Sequence, residues 1–134
     1  MIRECSKSGV HIGSHSLTHQ NLSKLTDIKE LFNEIFESKK QIYNQTGENP
    51  KIFAFPYGLY NEDSMKMVKN VGFSQILICD DMVSIYKDNY YNKGFYIYPR
   101  ININNSSVNE NYLRTLGFHQ RLNKLYKNKP YVLK

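Results

Sequence analysis

The run Lys51-Ile52-Phe53-Ala54-Phe55-Pro56-Tyr57-Gly58 decides the architecture. Ile52 to Phe55 are consecutively apolar, which fits a strand covered on both faces, as in a parallel sheet. Pro56-Tyr57-Gly58 ends that strand sharply. Two readings of the turn stand side by side. It is an ordinary turn after a strand, or it aims a backbone N–H into a site at the strand's C-terminal end.

Helical patterns flank this run on both sides. Upstream, Thr26 or Asp27 caps a helix whose inward stripe reads Ile28, Leu31, Phe32, Ile35, Lys39 and Ile42, with the Lys39 stem at the stripe's edge. Gly47 stops the helix and Pro50 prevents a restart. The helix is expected to be structural, without catalytic content. Downstream, Asn61 caps a second helix with Glu62 and Asp63 in its first turn, where acids suit the dipole. Met65, Met67 and Val68 turn partly inward, and Gly72 closes it. A strand follows at 74–79 around Ile76-Leu77-Ile78, ended by Asp80-Asp81. Residues 82–93 read as a polar loop. Phe95 to Tyr98 form a further strand, Ile101 and Ile103 alternate with Asn102 and Asn104, and Ser107 with Glu110 forms a capping box for a last helix ending at Gly117. Strands alternating with helices predict an α/β fold with a largely parallel sheet, whose sites lie at the strands' C-terminal ends.

The chain opens on the tail of a helix, residues 1–8, stopped by Gly9. Gly9-Val-His-Ile-Gly-Ser-His-Ser-Leu-Thr-His19 follows. Val10 and Ile12 alternate with polar neighbours and predict the end of a short strand, broken at Gly13. His15 and His19, four residues apart, can face one point on a helical turn or a tight loop. Imidazole is a common ligand for a divalent transition metal. The spacing also fits a solvated loop with incidental histidines, and two ligands do not complete a zinc site. Ser16 and Thr18 can hydrogen-bond the backbone and hold the loop in shape.

The 134 residues suit one domain, residues 1–134, with a basic tail over 124–134. With 40% hydrophobic and 22% charged residues the chain reads as neither disordered nor membrane-spanning. Met1 to Ser8 has no apolar core of the kind a signal peptide needs. The net charge of +6 would suit an anionic partner, yet the lysines are scattered and no recognition motif accompanies them, so no nucleic-acid partner is expected. Cys5 and Cys79 have no Cys-x-x-Cys spacing; they indicate neither a disulfide framework nor a thiolate metal site and read as small buried apolar residues.

Several of these motifs resemble, in order and spacing, those of the polysaccharide deacetylases, the NodB-homology or carbohydrate esterase family 4 domain. The matching text is Gly9 to His19, Asn21-Leu22, Glu34-Ile35 with Ser38, Thr46-Gly47, Phe53 to Gly58 and Val71-Gly72-Phe73. Pro99-Arg100-Ile101-Asn102-Ile103 resembles the branch acting on poly-N-acetylglucosamine. The resemblance implies a distorted (β/α) barrel and removal of N-acetyl groups from a polymer of N-acetylated sugars, outside the cell or at its envelope. It implies that His15 and His19 bind a divalent metal, zinc by expectation. It implies that the Tyr57 N–H holds an oxyanion, in a turn shaped by Pro56 and Gly58 at the substrate. Arg100 matches a position at the rim, where it would hydrogen-bond a sugar or orient a carboxylate, or be a surface charge.

The sequence also departs from the family pattern. The family's Thr-Phe-Asp-Asp type motif supplies the base and the third metal ligand. It lies upstream of the histidines, but here fourteen residues precede His15, none of them Asp. Ala54 stands where an arginine often precedes the Pro-Tyr-Gly turn. Asp80 and Asp81 read as turn residues rather than substitutes, and His119 as a surface residue rather than a general acid. The expectation is a partial barrel lacking its first strand, with an unpaired sheet edge favouring self-association. Its function would be an impaired polysaccharide N-deacetylase or, as the alternative, an inactive remnant or carbohydrate-binding domain.

Overall fold

Helices α1 (Ile2–Lys7), α2 (Ile28–Thr46), α3 (Glu62–Asn70) and α4 (Val108–Thr115) and strands β1 (Ile52–Ala54), β2 (Gln75–Ile78), β3 (Tyr91–Asn92) and β4 (Phe95–Pro99) follow in the order α1-α2-β1-α3-β2-β3-β4-α4. The computed structural model describes residues 1–79, 91–92, 95–100, 103, 105 and 107–116. The expectations for Asp80, Asp81, Gly117, His119, the 124–134 tail and most of the 82–93 loop lie outside these residues. The sheet order is β1-β2-β4-β3, with β1, β2 and β4 parallel. Tyr91–Asn92, expected as loop, pairs antiparallel with β4 instead. The α/β architecture with a parallel sheet is therefore as expected, with one antiparallel edge.

The cores of β1 and β2 hold this sheet to its helices. Phe53, Phe55 and Ile76 are fully buried, together with Leu31 and Ile35 of α2 and Val68 of α3. The Phe53 ring meets Phe55 and Phe73, each at 5.1 Å between centroids. Parallel strands buried on both faces need this continuous apolar character. Cys5 and Cys79, read as buried, are half-buried.

α2 begins where expected, with the Asp27 side chain accepting from the Lys29 N–H at 2.8 Å. It ends at Gly47, whose φ of 79° lets its N–H reach the Tyr43 carbonyl. Its inward line differs from the expected stripe. Leu31, Glu34, Ile35 and Ser38 are buried, whereas Ile28 and Phe32 are exposed. Phe32 stacks on Phe36 at 4.9 Å on the outer side. The helix is rotated so that two polar side chains face inward, because the loop they meet offers hydrogen-bonding groups. Lys39 lies at the edge as expected. Its Nζ donates to the Val71 and Gly72 carbonyls at 2.8 and 3.1 Å, and burial holds its pKa below the ordinary lysine value.

Residues 10–12 form no strand. Only Ser14 pairs, as an isolated parallel bridge to Phe53. Its N–H donates to the Ile52 carbonyl and its carbonyl accepts from the Ala54 N–H, both at 2.8 Å. Val10, half exposed, has no sheet to pack on.

The Asn61 cap is reciprocal. Its side chain accepts from the Ser64 N–H at 2.8 Å, its N–H donates to Ser64 Oγ at 2.9 Å, and its Nδ2 donates to the Ser23 carbonyl at 3.1 Å. Asn61→Ala removes the cap and the tie to residue 23 together. It should cost about 2 kcal/mol in urea unfolding; an unchanged midpoint would refute this role. At the last helix, the expected capping residue Ser107 accepts from the Glu110 N–H at 3.2 Å.

Candidate metal and oxyanion site

Because β1, β2 and β4 run parallel, their C-terminal ends share one rim. The segment carrying His15 leaves that rim immediately after the Ser14 bridge. His15 Nδ1 lies 2.8 Å from the Ala54 carbonyl. A carbonyl only accepts, so Nδ1 carries the proton and Nε2 is left with its lone pair. This arrangement orients metal-binding histidines generally. The His15 and His19 rings stand 4.9 Å apart, and His19 stands 4.8 Å from the Tyr57 ring. Three groups expected at one site are thus brought together, from segments some forty residues apart.

The backbone at the site is strained. Among the described residues the non-glycine positions with positive φ are Ser16 at 66°, His19 at 63° and Tyr57 at 57°. All three belong to this cluster. Such conformations cost about 1–3 kcal/mol each and persist only where surrounding contacts impose them. Those contacts are present. The His19 N–H donates to Ser16 Oγ at 3.0 Å. Glu34, reaching from α2, accepts the Leu17 and Thr18 N–H groups at 3.1 and 3.0 Å and the Thr18 hydroxyl at 2.7 Å. Ser14 Oγ and Ser38 Oγ are 2.6 Å apart. Ser38 donates its own proton to the Ile35 carbonyl at 2.8 Å, so Ser14 is the donor between them.

Pro56–Gly58 forms a single tight turn in which the Gly58 and Leu59 N–H groups bond back to the Phe55 and Pro56 carbonyls. No acceptor among the described residues takes the Tyr57 N–H. Tyr57 is 63% exposed, and its ring stands beside His19. An open groove of about 650 Å³ runs from His19 and Tyr57 past Gln20, Lys24 and Leu59. A second cavity, about 530 Å³, lies at the opposite end of β1 against His11, Lys51 and Gln75 and takes no part in this site.

Arg100 lies at the end of β4, across β2 from the histidines. Its N–H donates to the Ile78 carbonyl at 2.8 Å. Its buried Nε has no hydrogen-bond partner among the described residues. Buried donors are normally paired. As for a metal, the two imidazoles could supply two ligands, with the His15 ring held by the Ala54 carbonyl. Among the described residues no group of three His, Cys, Asp or Glu side chains could hold an ion. The donor set fits part of a metal site and leaves it incomplete.

The polysaccharide deacetylase family model matches residues 1–76. The chain belongs to the polysaccharide deacetylase family. Within that family it is 28% identical over 109 residues to the poly-beta-1,6-N-acetyl-D-glucosamine N-deacetylase of Staphylococcus aureus, covering 80% of this chain and 36% of that protein. It superposes on a Bacillus cereus polysaccharide deacetylase with a TM-score of 0.67 at 21% identity, over 86% of this chain and 35% of the other. A family 4 carbohydrate esterase from Streptomyces lividans, solved with acetate, gives a TM-score of 0.54 at 26% identity, over 59% and 40% of the two chains. The chain spans about a third of the length of the Staphylococcus and Bacillus cereus proteins.

Glu34 is the site residue that sequence reasoning left without a role. It appeared only as matching family text, on a helix expected to be purely structural. Its signal was an acid placed between Leu31 and Ile35 on an otherwise apolar face.

Proposed function

We propose that this polysaccharide deacetylase chain carries part of the machinery for hydrolysing N-acetyl groups on a surface polymer of N-acetylated sugars, at the cell envelope. The supporting observation is the convergence of the His15, His19 and Tyr57 rings on one rim beside an open groove. The substrate class follows the Staphylococcus aureus relative, named for poly-beta-1,6-N-acetyl-D-glucosamine. The sheet is read as an arc of a distorted (β/α) barrel lacking its first strand, with an outer edge open to self-association. No helix among the described residues is long and apolar enough to cross a membrane.

His15 and His19 would hold a divalent metal, zinc by donor type. A bound zinc would polarise the acetamide carbonyl and acidify water. The protein's own groups do the rest of what this chain can do. Ala54 holds the His15 tautomer. The Tyr57 N–H donates to the oxygen on which negative charge develops as the carbonyl becomes tetrahedral. Pro56 and Gly58 fix where that N–H points. Arg100 takes a sugar oxygen or orients a carboxylate. No Asp precedes His15 to serve as the base and third ligand, so activity in this chain alone would be impaired. With the donor set incomplete among the described residues, the second reading is an inactive remnant or a carbohydrate-binding domain.

Acetate release from a β-1,6-linked N-acetylglucosamine oligomer, with zinc added, separates the two. The first reading expects slow release that falls at least ~100-fold in His15→Ala/His19→Ala. Oligomer binding without release, unchanged in the double variant, would establish the second.

A further inference from the structure

Glu34 is not used by the chemistry above, yet it makes more contacts to the histidine loop than any residue assigned a role there. Its side chain is buried, at 4% exposure. One oxygen accepts both the Leu17 and Thr18 N–H groups and the other accepts the Thr18 hydroxyl. Among the described residues no cation pairs with it. A buried carboxylate without a counterion is tolerated only when donors surround it. Here all three donors come from the residues between His15 and His19. Ser38, four residues further along α2, receives Ser14 from the start of the same segment. Residues four apart lie on one helix face. One line of α2 therefore grips the loop at both ends of its turn.

The alternative is that Glu34 merely fills space in the core. Its neighbours on the helix, Leu31 and Ile35, do that with apolar side chains. An apolar residue at position 34 would strand the Leu17 and Thr18 donors, and the strained Ser16 and His19 backbones would lose what restrains them. We propose that Glu34 is a positioning residue: through Leu17 and Thr18 it fixes the loop that sets His15 and His19 4.9 Å apart. The consequence for metal affinity rests on the two histidines being ligands. The ordering of the loop does not.

The test uses the full chain with Glu34→Ala, Glu34→Gln and Leu31→Ala. Leu31 is a buried core residue one helical turn from Glu34 with no hydrogen bond to the loop. Two quantities are read below every variant's melting temperature: amide hydrogen exchange at Leu17 and Thr18, and zinc affinity by calorimetry. Glu34→Ala should lose protection at both amides and bind zinc about 10–100-fold more weakly, as for other residues that orient metal ligands. Glu34→Gln can accept both N–H groups on its carbonyl and donate its NH₂ to Thr18 Oγ1, so it should stay within about threefold of the parent. Leu31→Ala should melt earlier and keep its zinc affinity. Wild-type exchange in Glu34→Ala, or equal loss of affinity in Leu31→Ala, overturns the proposal; so does Glu34→Gln behaving like Glu34→Ala. If the parent chain binds no zinc, the metal reading of His15 and His19 fails, and the exchange rates alone decide the role of Glu34.

Discussion

Gly58→Ala should destabilise the protein by about 3–5 kcal/mol, at the upper end of what single substitutions do. Two effects add. Gly58 has φ +68°, where a side chain is strained. A Cβ built there would also stand 2.2 Å from the Cys79 Cβ and 3.0 Å from its Cα and N. These are atoms of the chain directly after β2, not the end of a flexible side chain, so the turn or the strand must move. Either movement displaces the turn that carries Tyr57. Denaturant unfolding followed by circular dichroism measures the loss. A second variant, Gly58→Ala/Cys79→Gly, removes the Cβ–Cβ overlap but keeps the backbone approaches and the unfavourable φ. It should regain part of the stability and no more. A Gly58→Ala protein that unfolds at the wild-type midpoint would show that the turn is not packed as described.

Phe53→Ala should cost about 3–5 kcal/mol, the usual range for emptying an aromatic site in a core. Phe53 is fully buried, sits at the centre of β1, and touches two other aromatic rings. Domains of this size have about 5–15 kcal/mol in total, so the variant would be marginal. The loss should not stop at stability. Phe53 lies between Ile76 on one side and the Ser14 bridge on the other. The next residue, Ala54, supplies the carbonyl that orients His15. Zinc affinity is therefore expected to fall with the melting temperature. Phe36→Ala is the control. Its ring lies on the outer side of α2 against Phe32, 37% exposed, and its removal should cost under about 1 kcal/mol and leave zinc binding unchanged. Equal losses in the two variants would break the link drawn here between β1 and the histidines.

Local pattern alone made much of this protein legible. The apolar run Ile52 to Phe55, the caps at Asp27 and Asn61 and the stop at Gly47 each follow from interactions within a few residues. All appear in the structure where the sequence places them. The Pro56-Tyr57-Gly58 turn is legible as a candidate because it directly follows an apolar strand, and the two histidines because of their residue type and four-residue spacing. Reading of the short Val10–Ile12 stretch failed because alternation is a weak signal over three residues. Pairing there depends on how closely Gly13 approaches Ile52, where a Cβ would come within 3.2 Å. The rotation of α2 was not legible either. Ile28 and Phe32 satisfy the helical stripe as well as Glu34 and Ser38 do not, and hydrophobic period carries no information about which hydrogen-bonding groups lie opposite.

By itself, then, the sequence determined the kinds of element, most of their ends, and the identity of the two imidazoles and the turn that follow the sheet. These depend on backbone propensity, capping and apolar period, which act over one or two turns of chain. Only the tertiary structure decided that His15 is held by Ala54, that His19 meets Tyr57, and that Glu34 turns inward to grip Leu17 and Thr18. Those contacts join residues 16 to 39 positions apart. Their energies come from satisfying particular donors inside a packed core, and such pairing becomes visible only when the chain has closed on itself.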